Sequence, residues 1–393
     1  MRKPLGIVRV ALLVASFLSS QVAAELVQLD QQDDAITKAF YLINETNTTV
    51  NSTANGDFDQ NGTLTSYFLG KVSDWWKFVD YRGTKVSVID MHLHTGTWDD
   101  LPQSFQDDLL EQIPFPFNFP ILAEPFVNIL LSAYGIAAQL VCSRIQKGVL
   151  FAVYAPETTG LAENEFVQDQ INSLPNKFYG LASLPVNDWE KNEADALDLL
   201  RQFLVLPEFI GVKMAHPHMK INFNDATFYS IYGVAAEIGK PVYIHTGLAF
   251  TEGSLTNKEA SHPDFTEEFI QLYPDVTFIV GHYGNKAIFD GLADPFDASF
   301  RLATTYSNVY LEASALGSEP NDPDGSLLTG VYQKAKELGL IERMLYGSDG
   351  PQFPGYVQSY LERTLDAMER ADYTVEEAEL VLDKNFKYLF KVW

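Results

Sequence analysis

Cysteine is nearly missing from this chain: Cys142 is the only one in 393 residues. No internal disulfide can form, so stability must come from core burial. Cys142 lies in AAQLVCSRI and is expected to be a small, buried residue of a helix. Basic residues are also scarce, with 27 Lys plus Arg against 52 Asp plus Glu and a net charge of −25. Such a surface repels phosphate backbones and carries no basic stripe, which argues against nucleic acid as a partner. Uninterrupted apolar runs are short. None approaches the ~20 residues needed to span a bilayer, so no stable membrane insertion is expected.

An apolar run, Val10–Leu18, follows Arg2, Lys3 and Arg9 and precedes the small residues Val22, Ala23 and Ala24. That order predicts a secretory signal peptide over residues 1–24 and hence a secreted, extracellular protein. Residues 25–84 show no strand and helix alternation. Within them, Asn44, Asn47, Asn51 and Asn61 each begin an N-glycosylation sequon, so this segment is read as a glycosylated extension. SYFLGKVSDWWKFVDYRG (66–83) regains aromatics and is expected to pack against the main domain.

The chain is 46% apolar, with 27 Phe and 19 Tyr, so a large core can form. From Lys85 onward, eight short β-rich runs alternate with longer amphipathic segments: 86–94, 148–155, 178–184, 209–215, 241–246, 276–282, 308–314 and 343–349. Helical spacing recurs at 187–205, 225–239 and 327–340, with Gly239 and Gly339 as left-handed caps. Eightfold alternation predicts a (β/α)₈ TIM barrel over residues 85–393. An open doubly wound sheet lacks its expected Gly-rich phosphate turn after the first strand. The connection 95–147 is unusually long, and EQIPFPFNFPILAEPF (111–126) suggests either an apolar flap over the barrel mouth or packing against the N-terminal segment.

A barrel places its chemistry at the C-terminal ends of its strands, and the polar residues fall there. KVSVIDMHLHTG ends in His92 and His94, and strict alternation puts Asp90, His92 and His94 on one face. PVYIHTG supplies His245, VTFIVGHYG supplies His282 and RMLYGSDGP supplies Asp349. Each taken alone could be a core histidine or a turn aspartate. Together, His92, His94, His245 and Asp349 offer three imidazoles and one carboxylate, a set suited to one divalent ion, zinc ahead of manganese or iron. Such an ion would lower the pKa of its water and polarise a substrate carbonyl. Asp90 is expected to orient one of the imidazoles.

With VIDMHLH, GVKMAHP, KPVYIHTG, FIVGHYG, NVYLEAS and MLYGSDGP in this order, the chain from about Lys85 resembles the amidohydrolase-related (amidohydrolase 2) branch of the metal-dependent amidohydrolase superfamily. The resemblance implies a distorted TIM barrel with His92, His94, His245 and Asp349 as ligands. It also implies that Asp349 accepts a proton from water and that His282 is catalytic or orients substrate. Lys213 lies on the fourth strand, where binuclear members carry a carboxylated lysine bridging a second metal; here it is read as an ordinary lysine of the GVK motif. His216 and His218 in AHPHMK are candidates for substrate contact or a second metal, with substrate contact or a solvated loop preferred, and His262 is read as structural. The expected partner is a small molecule. Hydrolysis of an amide or lactone leads. Non-oxidative decarboxylation is the alternative, because the branch resembles aminocarboxymuconate-semialdehyde decarboxylase and the resorcylate-type decarboxylases equally well. A non-catalytic secreted binding protein on the same barrel is the reading of another class.

Overall fold

A computed structural model describes residues 78–112, 118–249 and 251–392. The signal peptide, the four sequons and most of the 66–83 segment lie outside the described residues, as does the Pro and Phe run at 113–117. The chain divides into a unit ending at Val79 and a second unit, Asp80–Trp393, which holds the barrel.

Eight parallel strands form that barrel: β1 Ile89–His94, β2 Lys147–Phe151, β3 Phe178–Ala182, β4 Phe209–Met214, β5 Val242–His245, β6 Phe278–Gly281, β7 Val309–Glu312 and β8 Met344–Leu345. They follow one another in chain order around the sheet. Closure comes from β1 and the segment after β8, where Met91 N–H donates to the Tyr346 carbonyl, Asp349 N–H to the His92 carbonyl and His94 N–H to the Gly350 carbonyl. All eight strands lie where the sequence puts them. The eighth is much shorter than 343–349, because the Asp90 carboxylate takes the Ser348 N–H (2.9 Å) and the His92 N–H (3.1 Å), two donors that a continuous ladder would otherwise use.

Every strand sends at least one side chain into the cluster that fills the barrel: Ile89, Met91, Val149, Phe151, Leu181, Ile210, Tyr243, Ile279, Tyr310 and Leu345, joined by Phe386 of the C-terminal helix. Burial of each such side chain is worth about 1.5–3 kcal/mol. This cluster corrects the strict alternation expected of β1. Ile89 and Met91 belong to the interior, yet the His92 ring also stacks on Phe151 at 4.4 Å. The register shifts between Asp90 and Leu93, so two consecutive residues turn inward. The Asp90 carboxylate hydrogen-bonds no imidazole; it takes the backbone amides of His92 in the bulge and of Ser348 after β8.

The long first connection is helical where it is described: α1 Gln103–Gln112, α2 Pro120–Leu130 and α3 Ala133–Cys142. Pro120 opens α2, where its missing N–H costs nothing, and Pro125 sits inside the helix. Thr95, the residue after His94, donates to the Leu131 carbonyl (2.7 Å), and Trp98 N–H to Asn128 Oδ1 (2.6 Å). The α2–α3 corner is thereby tied to the end of β1. Cys142 ends α3 but is exposed, contrary to the burial expected of it. Further on, α4 Trp189–Leu204 buries Trp189, Ala196, Leu197, Leu200, Phe203 and Leu204 on one face. The helix α5 Ser230–Ile238 ends at Gly239 with φ 72°, as its capping role requires, and α6 Ser326–Glu337 follows β7. Among the described residues, no single helix is long and apolar enough to cross a membrane.

Candidate metal centre

The top of the barrel carries an unusual density of buried polar side chains: His92, Lys213, His282, Glu312 and Ser314 are all nearly inaccessible. Fixed dipoles in such a place are either partnered or destabilising. Here most are partnered with one another. His92 Nε2 lies 3.2 Å from His94 Nε2, and each lies 3.0 Å from Asp349 Oδ1. Donor atoms bound to one ion at ~2.0–2.2 Å are separated by about 3 Å, so this two-nitrogen, one-oxygen triangle fits a divalent cation. His92 is buried, whereas the side chains of His94 and Asp349 are 39% and 20% exposed, which opens the triangle towards the barrel mouth.

Burial holds the His92 and His245 imidazoles well below the ordinary histidine range, and pushes His282 down to about 4. All three rings are neutral near pH 7, as ligands and proton acceptors must be. Burial raises the Asp349 carboxyl, but the surrounding imidazoles outweigh it and hold the group well below its usual value. Two of these residues adopt left-handed backbone: Asp349 has φ 68° and His282 φ 62°. Non-glycine residues reach that region at a cost, and such strain concentrates at functional sites.

His245 does not enter this triangle. Its ring lies 4.4 Å from that of His282 and 4.8 Å from that of His218. A second group brings His92, His282 and Glu312 within ligand reach of one another. Glu312 went unassigned in the sequence, although a carboxylate inside the apolar run NVYLEAS is itself a signal, because a lone buried charge is rarely tolerated without a partner. Burial pushes its carboxyl up to about 8, against the pull of the Ser314 and Tyr243 hydroxyls.

The remaining candidates separate clearly. Lys213 Nζ sits 4.1 Å from the Tyr243 ring centre and 4.6 Å from that of Phe151, and burial lowers its pKa to about 7. His218 lines the same mouth, with Nδ1 3.1 Å from both Thr251 Oγ1 and Ser254 Oγ. His216 does not reach the rim: it is buried beside Phe223, with Nε2 2.9 Å from Tyr232 Oη. The helical turn that starts at Ala226 and continues into α5 brings Tyr232 over it and makes it part of the core. His262 caps a turn through Nδ1, which accepts from Asp264 N–H, and Nε2 lies 3.0 Å from the Ala293 carbonyl, in keeping with a structural role.

Solved structures with this arrangement of strands include an uncharacterised TIM-barrel protein from Bordetella bronchiseptica, 18% identical with a TM-score of 0.55, covering 77% of this chain and 98% of that one. A probable 2-pyrone-4,6-dicarboxylic acid hydrolase from Acinetobacter baumannii with citric acid bound is 15% identical (TM-score 0.51; 77% and 99% covered). A dihydroxybenzoic acid decarboxylase from Polaromonas sp. JS666, with bound manganese and the inhibitor 2-nitroresorcinol, is also 15% identical (TM-score 0.51; 78% and 97% covered). Comparison with curated proteins gave no match. The family model described as Amidohydrolase matches residues 89–390, from the first strand of the barrel to its last helix. The chain belongs to this family of metal-dependent enzymes.

Proposed function

We propose that the protein is a secreted hydrolase that uses one divalent ion, zinc by preference, to add water across a C–N or C–O bond of a small cyclic or acyl substrate such as an amide or lactone. The observation that carries this reading is the division of labour within Asp349. Oδ1 faces both Nε2 atoms at 3.0 Å, while Oδ2 accepts from Gln352 Nε2 at 3.4 Å. One oxygen can bind the ion while the other accepts a proton.

His92, His94 and Asp349 would hold the ion, with His245 proposed to complete the set on binding. A divalent ion there lowers the pKa of water and polarises the substrate carbonyl. As the water oxygen bonds to the acyl carbon, Asp349 Oδ2 takes its proton and returns it to the leaving nitrogen or oxygen as that bond breaks. His282 Nδ1 faces the Ser314 carbonyl at 3.1 Å and Ser314 Oγ at 3.0 Å, which commits its proton there; Nε2, 3.4 Å from Tyr243 Oη, is the acceptor proposed to orient substrate. His218 is proposed to contact substrate on the far side of His245.

The second reading is a metal-dependent decarboxylase of a small unsaturated or aromatic carboxylate. It is favoured by the manganese-bound decarboxylase that shares the barrel. The test is a screen of the metal-loaded protein against lactones, amides and aromatic carboxylates, following acid formation and CO₂ release separately. Ring opening or amide cleavage without CO₂ supports hydrolysis. CO₂ release alone selects the second reading.

A further inference from the structure

Beneath the metal centre lies a hydrogen-bond network that the reading above does not use. The Glu312 carboxylate receives three donors: Ser314 N–H at 2.9 Å on Oε1, and Ser314 Oγ–H and Tyr243 Oη–H, each at 2.8 Å, on Oε2. Each hydroxyl has a single proton, and Glu312 takes both. Towards His92 Nδ1, 2.9 Å from Ser314 Oγ and 3.0 Å from Tyr243 Oη, the two oxygens can therefore only accept. With Glu312 ionised, His92 carries its proton on Nδ1. Its lone pair is then on Nε2, the atom that faces His94 and Asp349.

The barrel makes room for this network. A Cβ on Gly281 would fall 1.8 Å from Tyr243 Oη, and one on Gly347 would fall 2.3 Å from Glu312 Oε1 and 2.8 Å from His92 Cβ. Any side chain at either position would displace the network. We propose that Glu312 is a positioning residue that acts through Ser314 and Tyr243 to fix the tautomer and orientation of His92, so that Nε2 is ready for the metal. This rests on the reading that His92 is a ligand.

The test replaces Glu312 by Gln, which keeps the shape. With its carbonyl oxygen held by Ser314 N–H, the amide NH₂ donates to the two hydroxyls and frees either to donate to His92 Nδ1. In metal-free protein at pH 9, where Glu312 is ionised in wild type, ¹⁵N NMR should show His92 as the Nδ1–H tautomer in wild type and Nε2–H in Glu312→Gln. His282 should stay Nδ1–H in both, because the Ser314 carbonyl can only accept. Chelator competition should show zinc affinity falling about 10–100-fold. Should Glu312→Gln fail to fold, Tyr243→Phe and Ser314→Ala each remove one acceptor, and each should weaken zinc binding, with the pair weaker still. An Nε2–H His92 in wild type overturns the proposal, and so does unchanged zinc affinity in the folded variants. Wild type that binds no zinc yet shows the expected tautomers counts instead against the metal reading.

Discussion

Asp349 is the residue from which most is asked, since the proposed mechanism has it both hold the ion and move the proton. Asp349→Asn keeps the size and removes the basicity, so kcat should fall by about 10²–10⁴, the range of general-base catalysis. Circular dichroism should be unchanged and metal content is to be measured in the same samples; full activity with normal metal would rule out the proton role. His216 makes a different prediction. Burial, followed by the nearby Lys213 charge, lowers its pKa to about 3, against about 6.5 for an exposed histidine. The unfolded chain takes up this proton first, so the stability tied to a neutral His216 is complete above pH ~6.5 and is lost as pH falls towards 3, by up to about 1.4 kcal/mol per pH unit. His216→Gln should flatten part of the loss of denaturation midpoint between pH 6 and 4, beside the other buried histidines; an unchanged slope would show that His216 is not among the acid-sensitive groups. Single residues were unevenly legible. His92, His94 and Asp349 were readable because polar residues are conspicuous at the ends of apolar strands. His216 was not, because only the packing of Tyr232 and Phe223 around it separates a core histidine from a rim histidine two positions away. Ser314 and Tyr243 gave no signal, since a serine after a strand and a tyrosine within one are ordinary.

At the scale of elements, the corner between α2 and α3 is held to the end of β1 by few bonds, of which the Asn128 Oδ1 contact with Trp98 N–H is the shortest. Asn128→Ala should lower stability by about 1 kcal/mol, as for one lost hydrogen bond, and leave metal binding intact. A lower zinc affinity in that variant would mean that the corner also positions His94. The eight strands were legible because β-branched and aromatic runs of the right length recur with turn residues between them. Their details were not. The Pro- and Phe-rich 111–126 reads as an apolar flap or a packing segment, yet Pro120 falls at a helix start, where a missing N–H is harmless, and α2 continues through Pro125. The bulge in β1 was hidden because alternation assumes a regular ladder, and a carboxylate that captures two backbone amides breaks it.

For the whole molecule, a barrel with one cysteine cannot lean on a disulfide, and it has no need of one: its interior is filled by side chains from all eight strands. The proposal of secretion rests on residues 1–24 and on the sequons at Asn44, Asn47, Asn51 and Asn61. Expression in a secreting eukaryotic cell should deliver the protein to the medium with its N-terminus near Glu25, and deglycosylation should reduce its mass. Retention in the cell, or no change in mass, would remove this proposal without touching the site.

The central claim is that His92, His94 and Asp349 hold one catalytic ion, and metal content tests it most directly. The protein is to be purified without added chelator, dialysed against metal-free buffer and assayed for zinc, manganese and iron, beside His92→Ala and Asp349→Ala. Roughly one equivalent per chain is expected in wild type, with a marked loss in both variants. A folded and catalytically active wild-type protein that carries no metal would contradict the claim, and so would variants that keep the full equivalent.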